Sequence, residues 1–154
     1  MAIPSLDMAP LFEAATVTGG VPARNKLDAE VMTAAREVGF MTVHGVPDSL
    51  GLTAEARDTM LAYFHISPLE QRKLWKRNFE PANRSIYRGH FPRSAGPTGS
   101  REGFDIGPDV LRELRDIDAD DLLYEATPMP SEALAPGWRK AAANWYGGME
   151  TIGA

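Results

Sequence analysis

Cysteine is absent from the 154 residues, which excludes disulfides, thiolate nucleophiles and cysteine-ligated zinc. Any metal site would have to be built from histidine and carboxylates. Histidine is scarce as well, with only His44, His65 and His90. No apolar run approaches the roughly 20 residues that cross a bilayer. The start, Met1-Ala2-Ile3-Pro4-Ser5-Leu6-Asp7, lacks the basic, apolar and small-residue regions of a signal peptide. The expectation is a cytoplasmic protein with no membrane partner, in keeping with the missing cysteine. No internal repeat or low-complexity tract divides the chain. With 44% apolar and 24% charged residues it has the balance of one globular domain over 1–154 able to bury a modest core.

The net charge of −5 conceals an asymmetry. Residues 72–101 carry eight basic side chains against Glu80 alone, a net +7, and 102–125 carry nine acidic ones against Arg112 and Arg115, a net −7. Mutual screening of neighbouring segments explains this without a nucleic-acid partner, and the basic stretch has no recognisable reading motif.

Leu27, Val31, Ala34, Ala35 and Val38 recur at helical spacing, and Gly39 stands where a left-handed C-terminal cap belongs. Phe40-Met41-Thr42-Val43 reads as a short strand, stopped by His44-Gly45-Val46-Pro47. A second helix is expected over 50–64, with Leu50, Leu61 and Phe64 on one side. Ser67-Pro68-Leu69-Glu70 has the pattern of a capping box with proline at the first helical position, opening a short basic helix to residue 77. The glycines and prolines over 81–108 predict a long structured loop broken by a strand at 104–106, and loops of that length usually have a function. A turn of helix over 110–114, a solvated acidic run over 116–121 and a proline-punctuated connection follow. Trp138, Ala142, Trp145, Met149 and Ile152 then fall at intervals of four and three, a stripe that needs a partner surface. The few short strands make no self-sufficient sheet, so the fold class is α+β with edge strands and a last helix expected to be poorly anchored.

Six phrases, in order, resemble the N-terminal region of the isopenicillin N synthase-like, 2-oxoglutarate-dependent dioxygenases. Ile3-Pro4-Ser5-Leu6-Asp7 looks like that family's opening strand. Ala35-Arg36-Glu37-Val38-Gly39-Phe40-Met41-Thr42-Val43-His44-Gly45-Val46-Pro47 looks like its helix-to-strand signature. Tyr63-Phe64, with Ser67-Pro68-Leu69-Glu70-Gln71-Arg72-Lys73, is similar to its phenylalanine, leucine-proline, glutamate-lysine segment. Tyr87-Arg88-Gly89-His90-Phe91-Pro92 resembles its Arg-Gly-Tyr region, with His90 in place of the usual tyrosine. Arg101-Glu102-Gly103-Phe104-Asp105-Ile106-Gly107 resembles its Lys-Glu-Gly-Phe-Asp-Ile-Gly strand, and Pro136-Gly137-Trp138-Arg139 with Trp145-Tyr146 and Met149 resembles the helix that leads into the catalytic barrel.

The resemblance implies an oxidoreductase whose helices and edge strands flank a double-stranded β-helix (jelly-roll) core. The full-length form would use non-haem Fe(II) and 2-oxoglutarate to oxidise a small organic molecule. The family holds iron with a His-any-Asp pair and a distant His, and the 2-oxoglutarate carboxylate with an Arg-any-Ser pair. His44, His65 and His90 are followed by Gly45-Val46, Ile66-Ser67 and Phe91-Pro92, so no His-any-Asp pair is present. The expectation is an N-terminal domain truncated before the jelly-roll, inactive by itself, with no catalytic, cofactor or metal residues of its own. A separate metal site made by the three histidines and a carboxylate such as Asp105 is not expected. His44 is assigned to the strand end, His65 to a helix terminus and His90 to the loop. The glycines over 96–107 follow no strand and open no good helix, so they do not read as a phosphate loop. In the family the region around Tyr87 and Arg88 approaches the barrel mouth, which makes Arg88, Tyr87 and Arg84 the substrate-facing candidates. An arginine there can clamp a carboxylate with its planar fork of donors. The expected partner is the missing jelly-roll half, or a second copy docked on the Trp138, Trp145 and Met149 face. The alternative function is a non-catalytic binding or dimerisation module derived from the same family.

Overall fold

The computed structural model describes residues 2–13, 20–93, 101–113, 121 and 124–153. The mixed α+β class is as expected. The chain divides into two units, one over 1–50 and one over 51–153.

In the first unit, strand β1 (Ser5–Asp7) leads into the one-turn helix α1 (Ala9–Phe12) and then helix α2 (Gly20–Glu37). The Asp7 carboxylate accepts the N–H of Ala9 at 3.0 Å and so holds the start of α1. Helix α2 begins well before the apolar stripe that predicts it, because its first two turns carry no stripe and Pro22 is tolerated there. Leu27 and Ala34 are buried and Val31 and Val38 half-buried, whereas Ala35, placed on the same face by its spacing, is exposed. Gly39 ends the helix with φ 78°, its N–H bonded to Ala34 O at 3.0 Å. Strand β2 (Thr42–His44) lies one to two residues beyond the expected 40–43 and pairs in parallel with β1, Leu6 opposite Val43. Leu6 is buried beside α2, while Val43 and Phe40 are exposed.

The second unit opens at Gly51, and Thr53 caps helix α3 (Ala54–Leu61) by accepting the N–H of Ala56 at 3.2 Å. The helix expected over 50–64 is therefore shorter: it starts after Gly51, with φ 73°, and tightens into a 3-10 turn over 62–65. Leu61 is exposed rather than packed. Helix α4 (Pro68–Arg72) has its predicted cap, with Ser67 Oγ accepting the N–H of Glu70 at 3.4 Å. The reciprocal half of the box is not made, since Glu70 pairs with Lys73 at 2.7 Å, and the helix ends at Arg72 instead of residue 77.

Within 81–108 the strand expected at 104–106 is present one residue earlier, and a second strand that was not expected precedes it. Strand β3 (Gly89–Phe91) pairs antiparallel with β4 (Gly103–Asp105), and the main chain of 74–76 lies on the other side of β3, with His90 N donating to Leu74 O at 2.8 Å and Lys76 N to His90 O at 2.9 Å. A 3-10 turn over 108–110 stands where a turn of helix is expected over 110–114. Residues 116–120 and Gly96 and Gly99 lie outside the described residues.

Helix α5 (Trp138–Gly153) packs on α3. Tyr63, Ala135, Trp138 and Ala142 are the buried centre of the second unit, joined by Met60, Phe64, Phe104 and Ile106. Trp138 donates its indole N–H to Met60 O at 3.2 Å. The helix expected to be poorly anchored is thus fixed over its first two turns. Its predicted stripe holds only in part: Trp145 is half-buried, Met149 is 52% exposed, and Gly148 takes the buried position instead.

Candidate functional site

The loop carrying Arg84, Tyr87 and Arg88 runs from the α4 region into β3. Asn83 starts it by donating its side-chain amide to Arg72 O at 2.9 Å and Trp75 O at 2.8 Å. Arg77 N reaches Ser85 O at 2.6 Å, so the loop is tied to the preceding turn. Arg84 and Tyr87 are exposed. Arg88 is half-buried, and its Nη1 donates to Ile106 O at 3.3 Å. A Cβ on Gly107 would stand 2.8 Å from Arg88 Nε and 2.9 Å from Asp109 Oδ1, so guanidinium and carboxylate flank the same stretch of main chain. The structure thus brings Arg84 and Tyr87 to the surface of the loop and turns part of Arg88 towards 106–109.

Asp109 is itself held. Its carboxylate accepts Thr127 N at 2.8 Å and Thr127 Oγ1 at 2.7 Å, and Thr127 Oγ1 accepts the N–H of Gly107 at 2.9 Å. Thr127 is buried, so this network satisfies groups that would otherwise be costly to bury.

Behind the loop lies a cluster that sequence reasoning missed. Tyr63 and His90 are both 0% exposed, and Tyr63 Oη lies 2.8 Å from His90 Nδ1. Glu102 Oε1 is 3.1 Å from His90 Nε2, yet it stands off the ring N–H direction, so Nε2 has no directed hydrogen bond among the described residues. Phe64, Phe104, Trp75 and Trp138 surround the pair, with Tyr63 and Phe104 ring centroids 4.9 Å apart at 82°. His90 is therefore a core residue of β3 and does not belong to an open loop. Burial raises the Tyr63 phenol pKa far above its ordinary range, and the Glu102 charge adds to the effect. Burial lowers that of His90, and the nearby charge of Glu102 partly offsets this. The arrangement fits a neutral imidazole that accepts a hydrogen bond from the phenol O–H at Nδ1 and carries its proton on Nε2, with the Glu102 carboxylate nearby. No local sequence signal marks it: His90 lies in β3 and Glu102 immediately precedes β4, and the pairing of these two strands brings them together.

A buried neutral histidine makes stability acid-sensitive. Its folded pKa is depressed, so the unfolded chain binds the proton first; stability is held above about pH 6.5, the ordinary histidine value, and is lost as pH falls below it. The groups facing His90 are Tyr63 and Glu102, with Lys76, on the adjoining segment, paired to Asp105. Urea unfolding at a series of pH values is expected to show this loss in the parent and a shallower one in His90→Gln, which takes no proton. Equal acid slopes in both proteins would rule the assignment out.

Between the charged stretches Lys76 pairs with Asp105, although Arg72 pairs with Glu80 within the basic stretch and Arg112 pairs with Glu150 in α5 at 2.8 Å.

An iron of the implied kind needs two histidines and a carboxylate converging on one point with open positions left over. His90 is committed to Tyr63 and Glu102, His65 is exposed at the end of its 3-10 turn, and His44 Nδ1 faces Asp7 at 3.8 Å at the end of β2. No group of three His, Asp or Glu suited to a metal occurs among the described residues, and these side chains do not fit an iron centre. Among the described residues no helix is long and apolar enough to cross a membrane. No protein-family model matches the chain, and no curated protein sequence matches it significantly.

Proposed function

We propose that this chain is the N-terminal, substrate-side region of an isopenicillin N synthase-like oxygenase that acts on a small organic molecule, with iron and 2-oxoglutarate held by residues outside these 154. The observation that supports the reading is the order of elements. The six phrases of the resemblance fold, in sequence, as β1, the α2-to-β2 unit, the capped α4, β3, β4 and α5. The opening strand and the strand of the helix-to-strand signature also pair directly, Ser5 with Thr42 and Asp7 with His44. In this reading Arg84 and Tyr87, exposed on the loop, meet the substrate, and Arg88, its Nη1 on Ile106 O, stands beside them.

The polypeptide alone is expected to release no succinate above a metal-free control when supplied with Fe(II), 2-oxoglutarate and oxygen. Stoichiometric, Fe(II)-dependent succinate formation would overturn the proposal that the ligands lie elsewhere. The second reading, a non-catalytic binding or dimerisation module, is favoured by the exposed apolar side chains of Leu61, Leu111, Leu134 and Met149 in the second unit. Sedimentation distinguishes it: a compact dimer whose mass is independent of concentration fits the module, and a monomer does not.

A further inference from the structure

Three successive backbone N–H groups, those of Ile86, Tyr87 and Arg88, converge on one carboxylate. Ile86 N donates to Glu125 Oε2 at 2.8 Å, and Tyr87 N and Arg88 N both donate to Glu125 Oε1. Consecutive main-chain donors turned to one side form a concavity of fixed partial positive charge that selects anions. A carboxylate with several such donors makes charge-assisted bonds, stronger than those between neutral groups. Glu125 is 37 to 39 residues away in sequence, so this is a tertiary contact and not the local chemistry of a turn.

The residues after Glu125 fasten the same two segments. Thr127 bonds to Asp109 and to Gly107 N. Pro128 lies against Gly89, with its Cγ 2.8 Å from where a Cβ would stand. Residues 125–128 therefore clamp the end of the loop beside β3, and the Glu125 carboxylate takes all three N–H groups.

We propose that the main chain of 86–88 is a carboxylate-binding site and that Glu125 is its built-in ligand, positioning the loop that displays Arg84 and Tyr87. The site recognises a carboxylate by main-chain donors alone, so any small carboxylate of suitable size satisfies it once the Glu125 side chain is removed. In the parent protein the site is filled from within the chain, and added carboxylates find no place there. The inference does not depend on the oxygenase reading, since it concerns how the loop is held and not what the loop meets.

The test is chemical rescue of the full chain. In Glu125→Ala, the amides of Ile86, Tyr87 and Arg88 are expected to exchange with solvent roughly ten- to a hundredfold faster than in the parent. Acetate should restore their protection along a saturating curve, whereas chloride at the same ionic strength and neutral acetamide should not. The parent should show no such response to acetate. Rescue by chloride equal to that by acetate, or parent-like exchange in Glu125→Ala, would overturn the proposal. Should Glu125→Ala not fold, Glu125→Gln carries the test: it keeps the shape but loses the charge. Exchange at least about tenfold faster at the same three amides supports a carboxylate site, and unchanged exchange overturns it.

Discussion

Gly89→Ala is expected to lower folding stability by about 3 kcal/mol or more, seen as a large drop in the midpoint of urea unfolding. Two costs combine at this residue. Its φ of 101° lies where side chains are strained, and a Cβ would stand 2.5 Å from Leu74 O. That oxygen is backbone, and it already accepts the N–H of His90 at 2.8 Å, so it cannot withdraw without breaking the pairing that places His90 in the core. Pro128 Cγ closes the other side at 2.8 Å. Gly39→Ala separates the two costs, because Gly39 has φ 78° with nothing within 4 Å of an added Cβ. That variant should lose only the strain of a left-handed residue, about 1–2 kcal/mol. If both variants lost the same amount, the close approach at Gly89 would have no energetic weight.

Trp138→Ala is expected to cost about 3–5 kcal/mol, the range for removing a large aromatic side chain from a packed core. Trp138 is 3% exposed, stands 5.0 Å from the Phe104 ring centroid and 6.4 Å from that of Tyr63, and donates to Met60 O. Its removal opens a cavity where α5, α3 and β4 meet and takes away the indole donor to Met60 O. Trp145→Ala, at a half-buried position on the same helix, should cost clearly less. Chemical denaturation of the two variants compares them directly, and a Trp145→Ala loss equal to or above that of Trp138→Ala would contradict this account of how α5 is anchored.

Features written in local chemistry were legible in the sequence. Gly39 closes α2, Gly45 turns the chain after β2 with φ 71°, and Ser67 caps α4, each as its residue type demands. Features made by distant partners were not. Strand β4 was expected to within one residue, but its partner β3 is three residues among glycines and prolines and exists because Leu74, His90 and Phe104 find one another across the fold. The period of apolar residues located the middle of α2 but not its start, where no stripe exists, and it ran past Gly51 at the start of α3. At the candidate site, the loop residues Arg84, Tyr87 and Arg88 were singled out, yet their support was invisible. Nothing local marks Glu125 as the ligand of the 86–88 amides, or Tyr63 as the partner of His90, because both pairings span more than a fifth of the chain's described length.

The proposed family membership is tested most directly by reading the source gene beyond the Ala154 codon in all three frames. The account predicts a His-any-Asp pair, a later His and an Arg-any-Ser pair, in that family's arrangement. Their absence from every frame would contradict it and leave a binding module as the reading of this chain.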